Sequence, residues 1–496
     1  MANQAMEIPS ELEWLNTDQP LSMEKLKGHV VLLDFWTYCC INCIHVLEDL
    51  KILEKKYENE PFLVIGVHSP KFKNEKDKQN IRSAIARYEI EHPVLVDNNH
   101  VLWKYYEINA WPSFVLINPE GSIIGKTAGE GKRELLDKAI SNILQKSRQK
   151  RTLAKMKLKI TSDIHIESFL KFPGKIFIDK TEGTLYISDS NHNRIIELEL
   201  MEENTANVKS IIGEGKEGYK NGNFSESLFR KPQGIIKHKN RLLIADTNNH
   251  VIREIDYNLK KVRTIAGNGK QGYTRKYKGD PLSISLSSPW DLEIGDDYLY
   301  IAMAGTHQIW RLNLDNNQLE SFAGSGIENI VDGDLKKAAL SQPSGLAYEK
   351  NRKRLYFADS EVSALRYIDL INDKVETLIG KGLFVFGNKE GPFKDALLQH
   401  PLGLDATQNE VYIADTYNHA IRIADLREEK LENLIHRPRK GVCKIGDKDC
   451  DYLPLYEPND IVLYENKLYI ADTNNHLIRT FSLKTELIED MYILES

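Results

Sequence analysis

A chain of 496 residues is longer than one ordinary hydrophobic core supports, so at least two domains are expected. With 41% hydrophobic residues, 28% charged residues and a formal net charge of −6, it has the balance of a globular protein and offers no electrostatic case for nucleic acid or an anionic membrane as partner. Met1 to Leu15 carry acids and lack the apolar core of a secretory signal, no stretch is long and apolar enough for a membrane span, and five cysteines, three of them clustered, do not make a disulfide framework; the expected setting is reducing and cytoplasmic.

The first informative element is the apolar run Val30 to Leu33, which reads as a buried strand. After it come Phe35-Trp36-Thr37-Tyr38-Cys39-Cys40-Ile41-Asn42-Cys43 and then a helix running from Ile44 to about Tyr57. A Cys-x-x-Cys pair therefore stands where a strand hands over to a helix. Backbone N–H groups left unpaired at a helix start favour negative charge, which makes Cys40 the candidate attacking thiolate and Cys43 its resolving partner. Two other readings compete. Half of a zinc site would need further ligands, and only Cys39, adjacent in sequence, and the distant Cys443 and Cys450 are available besides His45; no metal is expected. An inert pair of small core residues stays open as an alternative.

Phe62 to His68 reads as a second buried strand, followed by a charged stretch, Lys71 to Lys78, and a helix over Ile81 to Tyr88. Val94 to Val96 is a short strand, Val101 to Tyr106 a short helix, and Ala110 to Ile117 a strand that turns at Asn118-Pro119-Glu120-Gly121 and returns as Ser122 to Lys126. A helix over Glu134 to Gln149 closes the domain, and the alternation implies an α/β sandwich around a central sheet. Leu33-Asp34-Phe35-Trp36 with Cys40 and Cys43, and Trp111-Pro112-Ser113-Phe114 later, resemble the thioredoxin superfamily, with the stretch from Val67 to Val96 closer to its TlpA/ResA branch. The resemblance implies a cis bond at Pro112 facing the cysteines, a substrate groove lined by Trp36, Cys39 and Trp111, and a Cys40–Cys43 disulfide in the oxidised form. It also implies that Asp34, buried beneath the sheet with a raised pKa, accepts the proton of the resolving cysteine. Where the family has Trp before the first cysteine this chain has Cys39, and Ile41-Asn42 replaces Gly-Pro between the two.

Lys146 to Lys159 is rich in lysine and arginine and reads as a solvated helix end and linker, giving domains at residues 1–150 and 169–496 with residues 151–168 between them. In the second domain an apolar strand ending in Asp recurs: Leu185 to Asp189, Leu242 to Asp246, Leu355 to Asp359, Val411 to Asp415 and Leu468 to Asp472, with Leu299 to Met303 as a variant. The steps between them are 57, 57, 56, 56 and 57 residues. Each unit reads as four short strands, so six units predict a six-bladed β-propeller. Asp246-Thr247-Asn248-Asn249-His250 with Arg253, echoed at Asp415 with Arg422 and at Asp472 with Arg479, resembles NHL repeats, in which Arg would pair with an Asp of its own or the neighbouring blade.

His250, His307, His419 and His476 hold equivalent places on separate blades, so they cannot converge on one ion. Asp291 and Asp460, at the start of inner strands, are too few oxygens for a calcium-dependent lactonase site of the kind related propellers carry. Cys443 and Cys450 are either a local disulfide or two thiols. The ring closes either by an added strand at Leu158-Lys159-Ile160 or by packing of the first blade on the sixth. Taken together, the two halves resemble the NHL repeat-containing protein 2 family, which implies a thiol-disulfide oxidoreductase acting on protein disulfides, with the propeller as client-binding or scaffold module and no cofactor. The alternative is a non-enzymatic protein-interaction scaffold with a structural or vestigial dithiol.

Overall fold

The computed structural model describes residues 4–155, 166–202, 204–435 and 454–495, and the chain falls into two units, Met1–Ile166 and Glu167–Ser496. In the first unit the strands are β1 (Glu13–Leu15), β2 (Val30–Trp36), β3 (Phe62–His68), β4 (Val94–Val96), β5 (Ser113–Ile117) and β6 (Ile123–Ala128), in the sheet order β1-β4-β3-β2-β5-β6. β2, β3 and β4 run parallel, β5 joins β2 antiparallel and forms a hairpin with β6, and β1 covers the free edge of β4. β1 has no signal in the sequence, being three residues of mixed polarity. The helices are α1 (Ile41–Lys56), α2 (Lys78–Tyr88), α3 (Val101–Tyr105) and α4 (Arg133–Lys150).

Every residue of β2 and β3 is buried, as strands covered on both faces require. Side chains alternate along a strand, so Val31, Leu33 and Phe35 enter one core cluster with Ile65, Val67, Leu95, Val115 and Ile117. Leu32, Asp34 and Trp36 therefore face the other side, where α1 and α4 pack on β3 and β2. The polar Asp34 thus lies in an otherwise apolar layer beneath the helix that carries the cysteines.

The second unit is a six-bladed β-propeller. Its first blade is β7 (Pro173–Asp179), β8 (Thr184–Asp189), β9 (Arg194–Leu200) and β10 (Thr205–Ile212), and the five later blades repeat this antiparallel order. The four-strand expectation is short by one strand in most sheets. A two-residue strand from the preceding loop, such as Gly222–Asn223 beside Lys261–Ala266, adds an outer edge to each of blades two to five. In the first blade that edge is Tyr492–Leu494, paired parallel with Thr205 to Asn207. Chain that follows the sixth blade thus completes the first. Leu158-Lys159-Ile160 and the pair Cys443 and Cys450 lie outside the described residues.

The recurring turn explains the repeat's sequence. Asp246 pairs with Arg253 at 2.8 Å, Asp359 with Arg366 at 2.7 Å, Asp415 with Arg422 at 2.9 Å and Asp472 with Arg479 at 3.0 Å, always within one blade. In the third blade Met303 and Trp310 replace both partners together, so no lone charge is left inside. His250, His307 and His419 sit in left-handed backbone conformation, and each Nδ1 accepts the backbone N–H of Ser288, Gln342 or Glu457 on the next blade at 3.0–3.1 Å. His476 does the same for Phe172 at 3.0 Å, which ties the sixth blade to the first. The four histidines are linkers around the ring, and the same links that hold neighbouring blades close it.

Candidate active site

β2 ends at Trp36, and the loop Thr37-Tyr38-Cys39 delivers Cys40 as the N-cap residue of α1, with the Ile44 N–H bonding the Cys40 carbonyl at 3.1 Å to open the helix. Cys40 is half-buried, whereas Cys39 and Cys43 are buried at 2% and 1% exposure. The Cys43 thiol is pushed well above its ordinary pKa, first by burial, then by a hydrogen bond to the Cys40 sulfur and by the negative charge of Cys40 and Asp34. Of the two, Cys40 is the reachable thiol and Cys43 the one held protonated.

Beneath them, burial pushes the Asp34 carboxyl up to about 7, with nearby His92 opposing and Glu54 reinforcing the shift. A carboxyl near neutrality is suited to take a proton from a thiol and return it. Because its pKa in the unfolded chain is the ordinary 3.8, the sign of its effect on stability is fixed: the folded state holds the proton more tightly, so its contribution is full below about pH 4 and is lost as pH rises through about 7. Asp34→Asn should remove that slope, stabilising the N-terminal transition in urea by roughly 2–3 kcal/mol at about pH 8 relative to about pH 5. Equal pH slopes for both proteins would contradict the raised carboxyl.

The bond between Trp111 and Pro112 is cis. Trp111 is held half-buried by its indole N–H to the Ser69 carbonyl at 3.0 Å and by packing on Trp103, ring centroids 4.5 Å apart. Gly129 N–H bonds the Pro112 carbonyl at 2.9 Å, and the adjacent Glu130 meets His45 of α1 at 2.8 Å, which joins the proline segment to the helix of the cysteines. Trp36 departs from its expected place: at 1% exposure it lies below the loop, edge-on to His68 with centroids 5.1 Å apart, and lines no groove. Alternation from the buried Asp34 along β2 carries it inward. Cys39 is likewise buried, with its backbone N–H donated to Glu75 at 3.0 Å.

Glu75 has no conspicuous signal in the sequence. It sits in the charged stretch Lys71 to Lys78 yet is fully buried, accepting from Thr37 Oγ1 at 2.7 Å, the Cys39 N–H at 3.0 Å and the N–H groups of Lys71 and Phe72 at 2.8 and 2.9 Å. One carboxylate thereby fixes the loop before the cysteines to the segment after β3. In the propeller, Asp291 and Asp460 do not form a cation cage: Lys175 stands 3.4 Å from each, and backbone N–H groups of Leu292, Leu346 and Ile176 occupy their remaining oxygens. Among the described residues, no His, Cys, Asp and Glu cluster is placed to hold a metal, and no helix is long and apolar enough to cross a membrane.

Comparison with known proteins agrees with this architecture. The thioredoxin-like family model matches residues 28–123. The Arabidopsis thaliana protein SUPPRESSOR OF QUENCHING 1, chloroplastic, is 41% identical over 99% of this chain, which spans 48% of that protein. The thiol-disulfide oxidoreductase YkuV of Bacillus subtilis is 26% identical over 28% of this chain and 92% of its own. NHL repeat-containing protein 2 of Bos taurus is 41% identical over 99% of this chain and 72% of its own length. An alignment of that extent, carrying both the thioredoxin-like unit and the propeller in the same order, places the chain in the NHL repeat-containing protein 2 family.

Proposed function

We propose that the N-terminal unit is a thiol-disulfide oxidoreductase for protein disulfides and that the propeller binds the client. Cys40 attacks the client disulfide, Cys43 resolves the mixed disulfide, and Asp34 takes the Cys43 proton. The observation that carries the reading is the asymmetry of two thiols three residues apart near a buried carboxyl, one half-exposed at a helix start and one sealed and protonated. The cis proline segment tied to α1, and the likeness to a thiol-disulfide oxidoreductase of Bacillus subtilis, point the same way. A reducing compartment such as the cytoplasm would keep such a site in its dithiol form.

The test is a redox titration of the full chain. Equilibration in dithiothreitol buffers followed by alkylation and peptide mass analysis should show Cys40 and Cys43 passing together between dithiol and disulfide, with insulin reduction accompanying the reduced form. Failure of these two cysteines to pair at any potential would leave the scaffold reading in its place.

A further inference from the structure

Beneath the cysteines, buried polar atoms are gathered that no protein group satisfies. Both carboxyl oxygens of Asp34, the indole N–H of Trp36 and Nε2 of His92 are buried without a hydrogen-bond partner. They surround Gly66, which is in register with Asp34 on one side and Val94 on the other. A side-chain carbon placed on Gly66 would stand 2.9 Å from Trp36 Nε1 and 3.3 Å from His92 Nε2, so glycine keeps that space open. Two of these unpaired atoms flank one space and the Asp34 carboxyl is in register beside it; leaving them unsatisfied is costly in a fold that could seat apolar groups there, and the arrangement suits a bridging solvent molecule.

The cluster has an outlet. His92 Nδ1 is 3.3 Å from Glu54 Oε2 on α1, the imidazole side chain being 3% and the carboxylate 22% exposed. His92 is held in place from behind, where Asn16 Nδ2 donates to the carbonyls of Ile90 and His92 at 2.8 Å each. The charged groups that face this imidazole are Glu54 and Lys51 on α1 and Asp34 on β2; burial lowers its pKa, but Glu54 and Asp34 outweigh burial and Lys51 and the net direction is upward. An imidazole with one nitrogen toward a buried acid and the other toward a solvated carboxylate can take a proton on one side and release it on the other.

We propose that His92 and Glu54 form a proton relay that connects Asp34 to solvent and recharges it during each turnover of the dithiol. This rests on the redox reading above. When the mixed disulfide is resolved, the Cys43 thiol gives its proton to the Asp34 carboxylate, and the Cys43 sulfur forms a bond to Cys40. The bond from Cys40 to the client sulfur breaks, and that sulfur leaves with the electron pair as a thiolate that takes a proton from water. The dithiol loses two electrons and the client disulfide gains them, so one proton is left on Asp34, and the relay carries it out. His92 and Glu54 touch no reacting sulfur and act through Asp34.

The full chain is reduced and mixed with dithiobis(nitrobenzoate) in a stopped-flow instrument. Attack by Cys40 releases one nitrobenzoate thiolate, resolution by Cys43 releases a second, and Cys43→Ser identifies the second phase. Mixed at about pH 6, where Asp34 starts mostly protonated and must shed its proton before it can take that of Cys43, Glu54→Gln and His92→Gln should leave the first phase intact and slow the second roughly tenfold or more, with its pH profile altered. Added imidazole should restore the second phase in His92→Ala. A second phase unchanged in both Gln variants overturns the relay and leaves the redox reading standing, and both phases slowed alike would reduce His92 to a packing role. No first phase in the unaltered protein would remove the redox reading and the relay together. Glu54, partly exposed on a long helix, supplies the variant least able to disturb folding.

Discussion

Cys43→Ser should convert the protein into a trap: incubated with a disulfide-bearing protein, it should accumulate a stable mixed disulfide at Cys40 and turn over at least about a hundredfold less than the unaltered chain. Cys40→Ser should be equally inactive and trap nothing. The difference follows from where the sulfurs sit. Cys40 is half-exposed at the N-cap of α1, whereas Cys43 is at 1% exposure with its thiol pushed up by burial and by the hydrogen bond to Cys40. Only the first can meet a client, and only the second is placed to attack Cys40 once the client is attached. Non-reducing electrophoresis with peptide mapping of the cross-linked cysteine checks this. Capture by Cys40→Ser, or capture through Cys39, would assign the nucleophile wrongly.

Much of this site was legible because its signals are local. A strand, a Cys-x-x-Cys pair and a helix occupy one continuous stretch from Val30 to Lys56, and Trp111-Pro112 marks the segment with the cis bond. The propeller was legible for the opposite reason, a motif repeated along the chain, with Asp, His and Arg together in the second, fifth and sixth copies. What stayed hidden depends on contacts between residues far apart in sequence. Glu75 reads as one more charge in a charged stretch, and only the fold brings it under Thr37 and Cys39. His92 and Glu54 come from a loop and from the far end of α1, and no spacing relates either to Asp34. The outer strands added to the first five blades are two or three residues long, below the length at which alternation can be recognised. Trp36 follows the alternation of β2 inward with Asp34, and not the groove that the motif resemblance implies.

Lys175→Met should cost the propeller about 3–5 kcal/mol, more at about pH 8 than at about pH 5.5. Two residues after the proline that opens each inner segment stand Lys175 in the first blade, Asp291 in the third and Asp460 in the sixth, with Gly234, Gly345 and Gly403 in the others. A Cβ on those glycines would meet Asp291 Cα at 2.7 Å, Leu402 O at 2.5 Å and Asp460 Cα at 2.6 Å, so the inner strands approach too closely for any larger residue. Into this ring Lys175, 1% exposed, donates to the Leu402 carbonyl and lies 3.4 Å from both aspartates. Burial raises both carboxyls and Lys175 opposes the rise, leaving Asp460 at about 7. Methionine keeps the length and removes the charge, so two acids confront each other without a cation. Their folded pKa values then climb further above the ordinary 3.8, so the stability present when both are protonated is lost more completely as pH rises. Adding Asp291→Asn and Asp460→Asn should recover most of the loss and flatten the pH dependence, because the partners removed together leave no buried charge. Urea unfolding of the propeller transition at both pH values measures each effect, and an additive triple variant would mean that Lys175 acts through packing alone.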